Sequence, residues 1–190
     1  MFPSVSSTWA IGVDGWELAD TLGDLRRRQL LDGLRLCFNP YQLEHIASEI
    51  RSARHVQWYE YAITGEVVFC GESDWVLNFG IPAACHERFR PAGADVGSYL
   101  AGTVGLLSLT AGRWGDDLFE PPAPPLAHTW RIERIWLETT PWLEIAPRAF
   151  ERADVPRTFV EIEATDHEGD DSVGAAYILE CQLLDTPATH

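Results

Sequence analysis

The sequence predicts an α+β fold in which N-terminal helices pack on a mainly antiparallel sheet. Apolar residues recur at helical spacing in the first third of the chain, and short runs of aromatic and branched residues follow from residue 56. The chain has 190 residues, of which 46% are hydrophobic, which is enough for a domain with a substantial core. We therefore expect a single domain over residues 1–190, with a proline-rich loop at 119–126.

Two helices are predicted in the N-terminal third. The first is indicated by leucines at roughly helical spacing, and Gly33 weakens its end. The second is predicted over residues 40–54, since Asn39 suits a helix cap and Pro40 suits the first helical position. The leucines of the first helix are Leu22, Leu25, Leu30, Leu31 and Leu34, and the apolar stripe of the second is Leu43, Ile46, Ala47 and Ile50.

An antiparallel meander is predicted after the helices. Strands are expected at 56–63, 66–70 and 75–79, with turns at Thr64-Gly65 and at residues 71–73, and Pro82 is expected to end the meander. Residues 96–112 fit either a helix or a strand, and the spacing of Val96, Tyr99 and Leu100 favours the helix.

Four prolines lie within residues 121–125 and force an extended segment, which we interpret as a loop rather than a linker. Strands are predicted beyond it at 130–137, 158–164 and 175–184, too few for an independent domain but enough to complete the sheet. The last two strands are predicted to form a hairpin around a polar loop at 166–172.

The charge pattern excludes some partners and favours others. The formal net charge is −15, all 14 basic side chains are arginine, and residues 151–190 carry a net charge of −8, with no arginine after Arg157. Such a field repels nucleic-acid phosphates and anionic membrane surfaces, and it attracts basic proteins. We therefore expect neither a nucleic-acid nor a membrane partner.

The four cysteines predict a reducing compartment. Cys37, Cys70, Cys85 and Cys181 form no C-x-x-C pair, and the N-terminus lacks the basic start and apolar stretch of a signal peptide. We therefore expect reduced thiols and a cytoplasmic protein.

No motif identifies a reaction, a cofactor or a metal. The acidic loop misses the EF-hand pattern, because Gly169 stands at its fourth position and Tyr177 at its twelfth. Cys85 and His86 are neighbours in sequence whose side chains diverge in either a strand or a helix. The chain has no lysine, which excludes a P-loop lysine and a Schiff base within it. The sequence thus assigns no catalytic residue, no cofactor and no metal site.

Two hypotheses of function follow. The first is a binding protein that neutralises a basic partner, as a toxin-immunity protein does, with acidic side chains that steer the partner and tryptophans that anchor it. The predicted residues are Glu161, Glu163, Asp166, Glu168, Asp170, Asp171, Trp130 and Trp136. The alternative is a small enzyme or small-molecule-binding domain. A deep pocket with a histidine or cysteine near a carboxylate would favour this alternative over a flat acidic surface.

Overall fold

The computed structural model of the chain describes residues 8–109, 122–146, 149–166 and 175–184. Within these residues the protein is mostly β, and its helical parts are the single turn α1 (Gly15–Glu17), a π-helical turn at Leu18–Leu22 and a 3₁₀ turn at Glu87–Phe89. The strands are β1 (Thr8–Asp14), β2 (Leu30–Leu34), β3 (Leu36–Ile46), β4 (Ser52–Gln57), β5 (Glu60–Cys70), β6 (Asp74–Asn78), β7 (Pro82–His86), β8 (Tyr99–Ser108), β9 (His128–Glu138), β10 (Trp142–Ala146), β11 (Ala149–Arg152), β12 (Phe159–Ile162) and β13 (Ala176–Leu183). The predicted α+β fold with N-terminal helices on a sheet is therefore wrong.

The first predicted helix is replaced by short elements that divide its leucines. The π-helical turn ends at Leu22 and is followed by Gly23, whose φ is +65°, and Leu25 then lies buried outside any helix. Leu30 to Leu34 form β2, which pairs with β9 around a register shift. Four of the five leucines are at least partly buried, but in three separate segments rather than on one helical face.

The second predicted helix is also wrong, because residues 36–46 and 52–57 form β3 and β4. Pro40 lies inside β3, beside a register shift between Pro40 and Gln42 where the ladder to β8 is interrupted. Proline lacks an N–H and is tolerated in a sheet at such bulges. The expected apolar stripe does not form, since Ala47 and Ile50 are exposed.

The meander differs from the prediction in its turns. β5 is one continuous strand that runs through the predicted turn at Thr64-Gly65, and its side chains alternate between buried and partly buried. A Cβ at Gly65 would lie 3.0 Å from the Asn78 carbonyl oxygen, so this glycine permits close approach of β6 rather than a turn. The turn at 71–73 is confirmed, and Pro82 begins β7 instead of ending the sheet.

Residues 99–108 form β8, so in the described part of 96–112 the favoured helix is wrong and the strand alternative is correct. Residues 110–112 lie outside the described residues. β8 pairs antiparallel with β3 on one side and with β5 on the other. The five strands β8, β3, β7, β6 and β5 thereby form a closed ring, in which β3 and β7 are parallel. Closure leaves these strands without a free edge along the ring.

Strands β1, β13, β9, β12 and β2 build an outer sheet on the barrel, while β4 pairs with β5 and the strands β10 and β11 form a separate two-stranded sheet. β1 pairs with β8 in parallel at Gly12 and Leu107, and it pairs with β13 antiparallel along its whole length. β9 lies beyond β13, and β12 and β2 share the far edge of β9. The predicted strands at 130–137, 158–164 and 175–184 are present as β9, β12 and β13. The hairpin predicted from the last two is wrong, because β9 separates them.

A continuous hydrophobic core joins the barrel to the outer sheet. It contains Phe38, Tyr61 and Trp75 from the barrel and Trp130 and Leu179 from the outer sheet. Of the predicted proline-rich loop, residues 119–121 lie outside the described residues, and residues 122–126 form no strand before β9. No helix in the described part of the chain is both long and apolar enough to cross a membrane.

Candidate functional site

A crevice lies where β1 leaves the barrel. It consists of two adjoining cavities of about 300 Å³ and about 360 Å³ that share Gly12, Asp14, Trp16 and Leu107 as a common wall. The wall can form because Gly12 has no side chain, and a Cβ there would lie 2.7 Å from Leu107 Cδ2. We call the first cavity the histidine pocket and the second the arginine pocket.

The histidine pocket contains an oriented imidazole. His86, the last residue of β7, faces Asp74, the first residue of β6, and its Nδ1 lies 2.8 Å from Asp74 Oδ1. The Asp74 side chain is 0% exposed, while the His86 side chain is 36% exposed and lines the pocket. The buried Asp74 carboxylate forms an ion pair with this ring nitrogen when the imidazole is protonated, and the contact favours one orientation of the ring.

A second buried carboxylate forms part of the same pocket. Glu17 accepts a hydrogen bond of 2.5 Å from the Ser108 hydroxyl and one of 3.2 Å from the Asp14 backbone N–H. Both Glu17 and Ser108 are buried. These bonds join α1 to the end of β8, so the polar wall of the histidine pocket is held by charge-assisted contacts.

The Cys85 thiol beside this pocket is not an activated nucleophile. Burial raises the pKa of the Cys85 thiol to about 12, so the thiol is protonated at neutral pH. Cys85 is buried while its neighbour His86 lines the pocket, as expected for adjacent strand residues that point to opposite faces. Cys37 also lines the pocket, and its thiol donates to the Ser108 carbonyl oxygen at 3.3 Å.

The arginine pocket surrounds a third buried carboxylate, that of Glu138 at the end of β9. Its side chain is 5% exposed, and its Oε1 has no hydrogen-bond partner among the described residues. Arg152 Nη2 lies 3.7 Å from Oε2, and Arg157 Nε lies 3.9 Å from Oε1. At these distances the two contacts are ion pairs but not hydrogen bonds.

Aromatic rings hold the two arginines beside Glu138. The Arg152 guanidinium lies 4.0 Å from the centre of the Trp142 ring and donates to the Thr140 carbonyl oxygen at 2.6 Å. Arg157 Nη1 donates to the Tyr59 hydroxyl at 3.1 Å. Phe159 also lines the pocket. The pocket therefore offers flat apolar walls together with charges of both signs.

The predicted tryptophans lie away from the crevice. Trp130 is 0% exposed and its indole N–H donates to the Leu34 carbonyl oxygen at 3.4 Å, so it presents no surface to a partner in this conformation. Trp136 is partly buried, and its indole N–H donates to Glu180 at 3.0 Å.

The predicted acidic residues are only partly described. Glu161, Glu163 and Asp166 are exposed, and Arg27 neutralises part of this surface through ion pairs of 3.4 Å to Glu161 and 2.9 Å to Glu163. Glu168, Asp170 and Asp171 lie outside the described residues. None of the predicted residues that are described lines the crevice.

Sequence reasoning missed Glu138, Arg152, Arg157 and the Asp74–His86 pair. A signal for the pair was present, because a hairpin of 75–79 with the residues after Pro82 places position 74 opposite position 86. The interpretation of Pro82 as the end of the meander concealed it. The arginine pocket had no such local signal, since it depends on residues from seven strands and the connections between them.

The described residues contain no group of three or more His, Cys, Asp or Glu side chains placed to hold a metal ion. Comparisons of the chain with protein-family models, with curated proteins and with solved structures gave no significant match. The argument for function therefore depends on the crevice itself.

Proposed function

We propose that the protein binds a small organic molecule in the crevice between the barrel and the outer sheet. The observation that carries this proposal is that the two pockets adjoin and share Gly12, Asp14, Trp16 and Leu107 in their linings. Cavities of about 300–1,000 Å³ with apolar walls and a few convergent polar groups are typical of small-molecule sites.

The residues on either side of the wall support a ligand with several polar groups. The histidine pocket offers His86, held by a buried carboxylate, and the arginine pocket offers Glu138 beside two arginines. A histidine next to a carboxylate in a pocket is the feature that favours the small-molecule hypothesis over a flat acidic surface. If the ligand is a substrate, His86 is the residue placed to accept its proton.

The test is to fill both pockets with a larger side chain placed on their shared wall. Metabolites are screened for those that raise the melting temperature, and the hits are repeated on Leu107→Trp, which adds bulk to both pockets. A ligand at 100 times its Kd stabilises the native state by about 2.7 kcal/mol, which a thermal melt detects. We expect Leu107→Trp to lose this shift.

The matched control is Leu30→Trp, the same change at an exposed residue of β2 that lines neither pocket. It should keep the shift. A ligand-induced shift that survives Leu107→Trp, or the absence of any stabilising ligand, would contradict the proposal.

A second proposal is that the protein neutralises a basic protein partner, as a toxin-immunity protein does. Two features support it. The net charge is −15, and β10, which pairs only with β11 among the described strands, exposes Leu143 and Ile145. Acidic surface speeds association with a basic partner, and exposed apolar side chains slow its dissociation.

Binding kinetics test this second proposal on a partner captured from the native host. We expect association to slow as salt rises, and Leu143→Ser with Ile145→Ser to raise the dissociation rate at least tenfold. Leu30→Ser, at another exposed leucine, is the control. Association that is independent of salt would count against electrostatic steering by this chain.

We further propose that the protein resides in a reducing compartment, the cytoplasm. All four cysteines lie in the described part of the chain, each as a thiol rather than as half of a disulfide. Titration of the denatured protein without reductant should count four thiols per chain. A count of two or none would contradict this assignment.

A further inference from the structure

The arginine pocket contains a buried acceptor that the described protein atoms leave unsatisfied. Glu138 Oε1 has no hydrogen bond within the described residues, although the side chain lines the cavity and is 5% exposed. A buried carboxylate oxygen normally accepts a hydrogen bond, and a buried oxygen without one destabilises the folded state. A donor from a molecule in the pocket would satisfy it.

The charges around the cavity restrict what that molecule is. Its lining includes the acids Asp14 and Glu138 and the bases Arg152 and Arg157. A simple anion would pair with the arginines, but the carboxylates would repel it and Glu138 Oε1 would still lack a donor. A simple cation would pair with the carboxylates, but the arginines would repel it. The ligand therefore presents a donor and an acceptor close together without a large net charge.

The spacing of the polar atoms fits two adjacent ligand atoms. Arg157 Nε and Glu138 Oε1 are 3.9 Å apart, too far for a hydrogen bond with each other. A ligand edge with an N–H donor next to a carbonyl oxygen would place its donor on Glu138 and its acceptor on the Arg157 guanidinium. Charge-assisted bonds of this kind are the stronger ones in proteins.

The walls of the pocket indicate a planar ring. Tyr59, Trp142 and Phe159 line the cavity, and Trp16 closes it toward the histidine pocket. Aromatic side chains that line a cavity favour contact with another flat ring, either offset-stacked or edge to face. A volume of about 360 Å³ lies within the range of small-ligand pockets.

We propose that the arginine pocket binds a planar heteroaromatic molecule by its lactam edge, with the ring N–H donating to Glu138 Oε1 and the adjacent carbonyl oxygen accepting from Arg157. This inference rests on the proposed small-molecule function and narrows it to one ligand class. Lactam-bearing purines and pyrimidines, such as hypoxanthine, guanine and uracil derivatives, belong to this class.

Calorimetric titration with inosine and 1-methylinosine tests the proposal. The two probes share the ring and the carbonyl oxygen, but methylation removes the N–H donor. We expect the 190-residue chain to bind inosine at least about tenfold more tightly than 1-methylinosine, the effect of one charge-assisted hydrogen bond. Uridine and 3-methyluridine repeat the comparison on a smaller ring.

Two variants assign the contacts. Glu138→Gln should weaken inosine binding about tenfold or more and reduce the preference over 1-methylinosine. Arg157→Gln should weaken both probes and leave the preference in place. Glu133→Gln is the matched control, because Glu133 lies on the same strand, pairs with Arg131 at 2.7 Å and lines neither pocket. Arg157→Gln carries the test if Glu138→Gln does not fold.

Equal affinity for inosine and 1-methylinosine, or no binding of any lactam probe, would overturn the lactam proposal. Its failure is distinct from failure of the proposed function. If other compounds stabilise the protein and Leu107→Trp abolishes their effect, the crevice remains the binding site and only the ligand class is wrong.

Discussion

Buried carboxylates are the residues that define the candidate site. Glu17, Asp74 and Glu138 are each at most 8% exposed, and each lies in or beside the crevice. A charge removed from water must be matched by donors or by an opposite charge. Here the matching groups are Ser108, His86 and a pair of arginines, supplied by other parts of the fold. Sequence composition shows that acids are abundant, but it does not distinguish these three from the solvated majority.

The bond between Ser108 and Glu17 gives the first prediction. Ser108→Ala removes a donor from a buried carboxylate, and we expect the free energy of unfolding to fall by about 1–3 kcal/mol, the cost of losing a hydrogen bond to a charged group. Ser73→Ala, at an exposed turn residue, should change it by no more than about 0.5 kcal/mol. Urea denaturation measures both. Equal effects of the two changes would show that the Ser108 bond adds no stability.

The buried thiol of Cys85 and hydroxyl of Tyr61 give a second prediction, for alkaline pH. Burial raises the pKa of Cys85 from 9.0 to about 12, and burial raises the pKa of Tyr61 from 10.0 to about 12. Above pH 9 the unfolded chain loses protons that the folded chain retains, so stability is full below pH 9 and declines as pH rises toward 12. Each such group contributes a slope of at most about 1.4 kcal/mol per pH unit.

The free energy of unfolding should therefore fall between pH 9 and pH 11 in wild type, and it should fall less steeply in Cys85→Ala. Chemical denaturation at a series of pH values makes the comparison. A Cys85→Ala variant with the same slope as wild type would mean that this thiol does not contribute to the alkaline transition.

At the scale of elements, the sequence revealed strands better than it revealed their turns or the absence of helices. β9 and β13 were found because runs of branched and aromatic residues mark strands on their own. The helix predicted at 40–54 failed because Asn39 and Pro40 resemble a cap, whereas the decisive fact is a ladder to β8, about 60 residues away. The segment that forms β8 was ambiguous because a short apolar run fits either a helix or a strand. Pairing that is distant in sequence decided each case.

Gly102 provides the prediction at this scale. A Cβ at this position in β8 would lie 1.8 Å from the Gln42 carbonyl oxygen of β3, next to the bulge at Pro40. Gly102→Ala must push the two strands apart, and we expect a loss of roughly 3 kcal/mol or more in the free energy of unfolding. Gly33→Ala is the matched control, because its φ is +75° with nothing within 4 Å, so its cost is the backbone term of about 1–2 kcal/mol. A smaller loss for Gly102→Ala than for Gly33→Ala would mean that the β3–β8 ladder adapts freely.

At the scale of the whole molecule, the crevice is a product of the topology. The barrel closes through β8, and β1 diverges from β8 after a single parallel bridge at Gly12 and Leu107, which opens space between the two sheets. The sequence predicted antiparallel strands and a possible pocket, but it placed that pocket between helices and a sheet. The observed site needs barrel closure, which no local pattern encodes. Of the acidic residues chosen from sequence, the described Glu161, Glu163 and Asp166 lie outside the crevice, because charge bias reports on surface potential and not on concavity.

The last prediction concerns whether barrel and outer sheet form one unit, as the single-domain expectation requires. Trp9 on β1 is 1% exposed, and its ring centre lies 5.2 Å from that of Tyr61 and 6.1 Å from that of Phe79. It belongs to the core cluster that also contains Trp130 and Leu179 of the outer sheet. Trp9→Ala should therefore lower the free energy of unfolding by about 3–5 kcal/mol, the usual cost of truncating a buried tryptophan.

If the core is cooperative, Trp9→Ala will reduce hydrogen-exchange protection equally for the slowest amides of β6 in the barrel and of β9 in the outer sheet. Val160→Ala, at an exposed residue of β12, should change the opening free energy of the slowest amides by no more than about 0.5 kcal/mol in both β6 and β9. A variant that loses protection in β9 while β6 keeps it would show two separately stable units. In that case the single-domain prediction would be wrong, and the crevice would lie at a boundary between domains whose relative position a ligand could change.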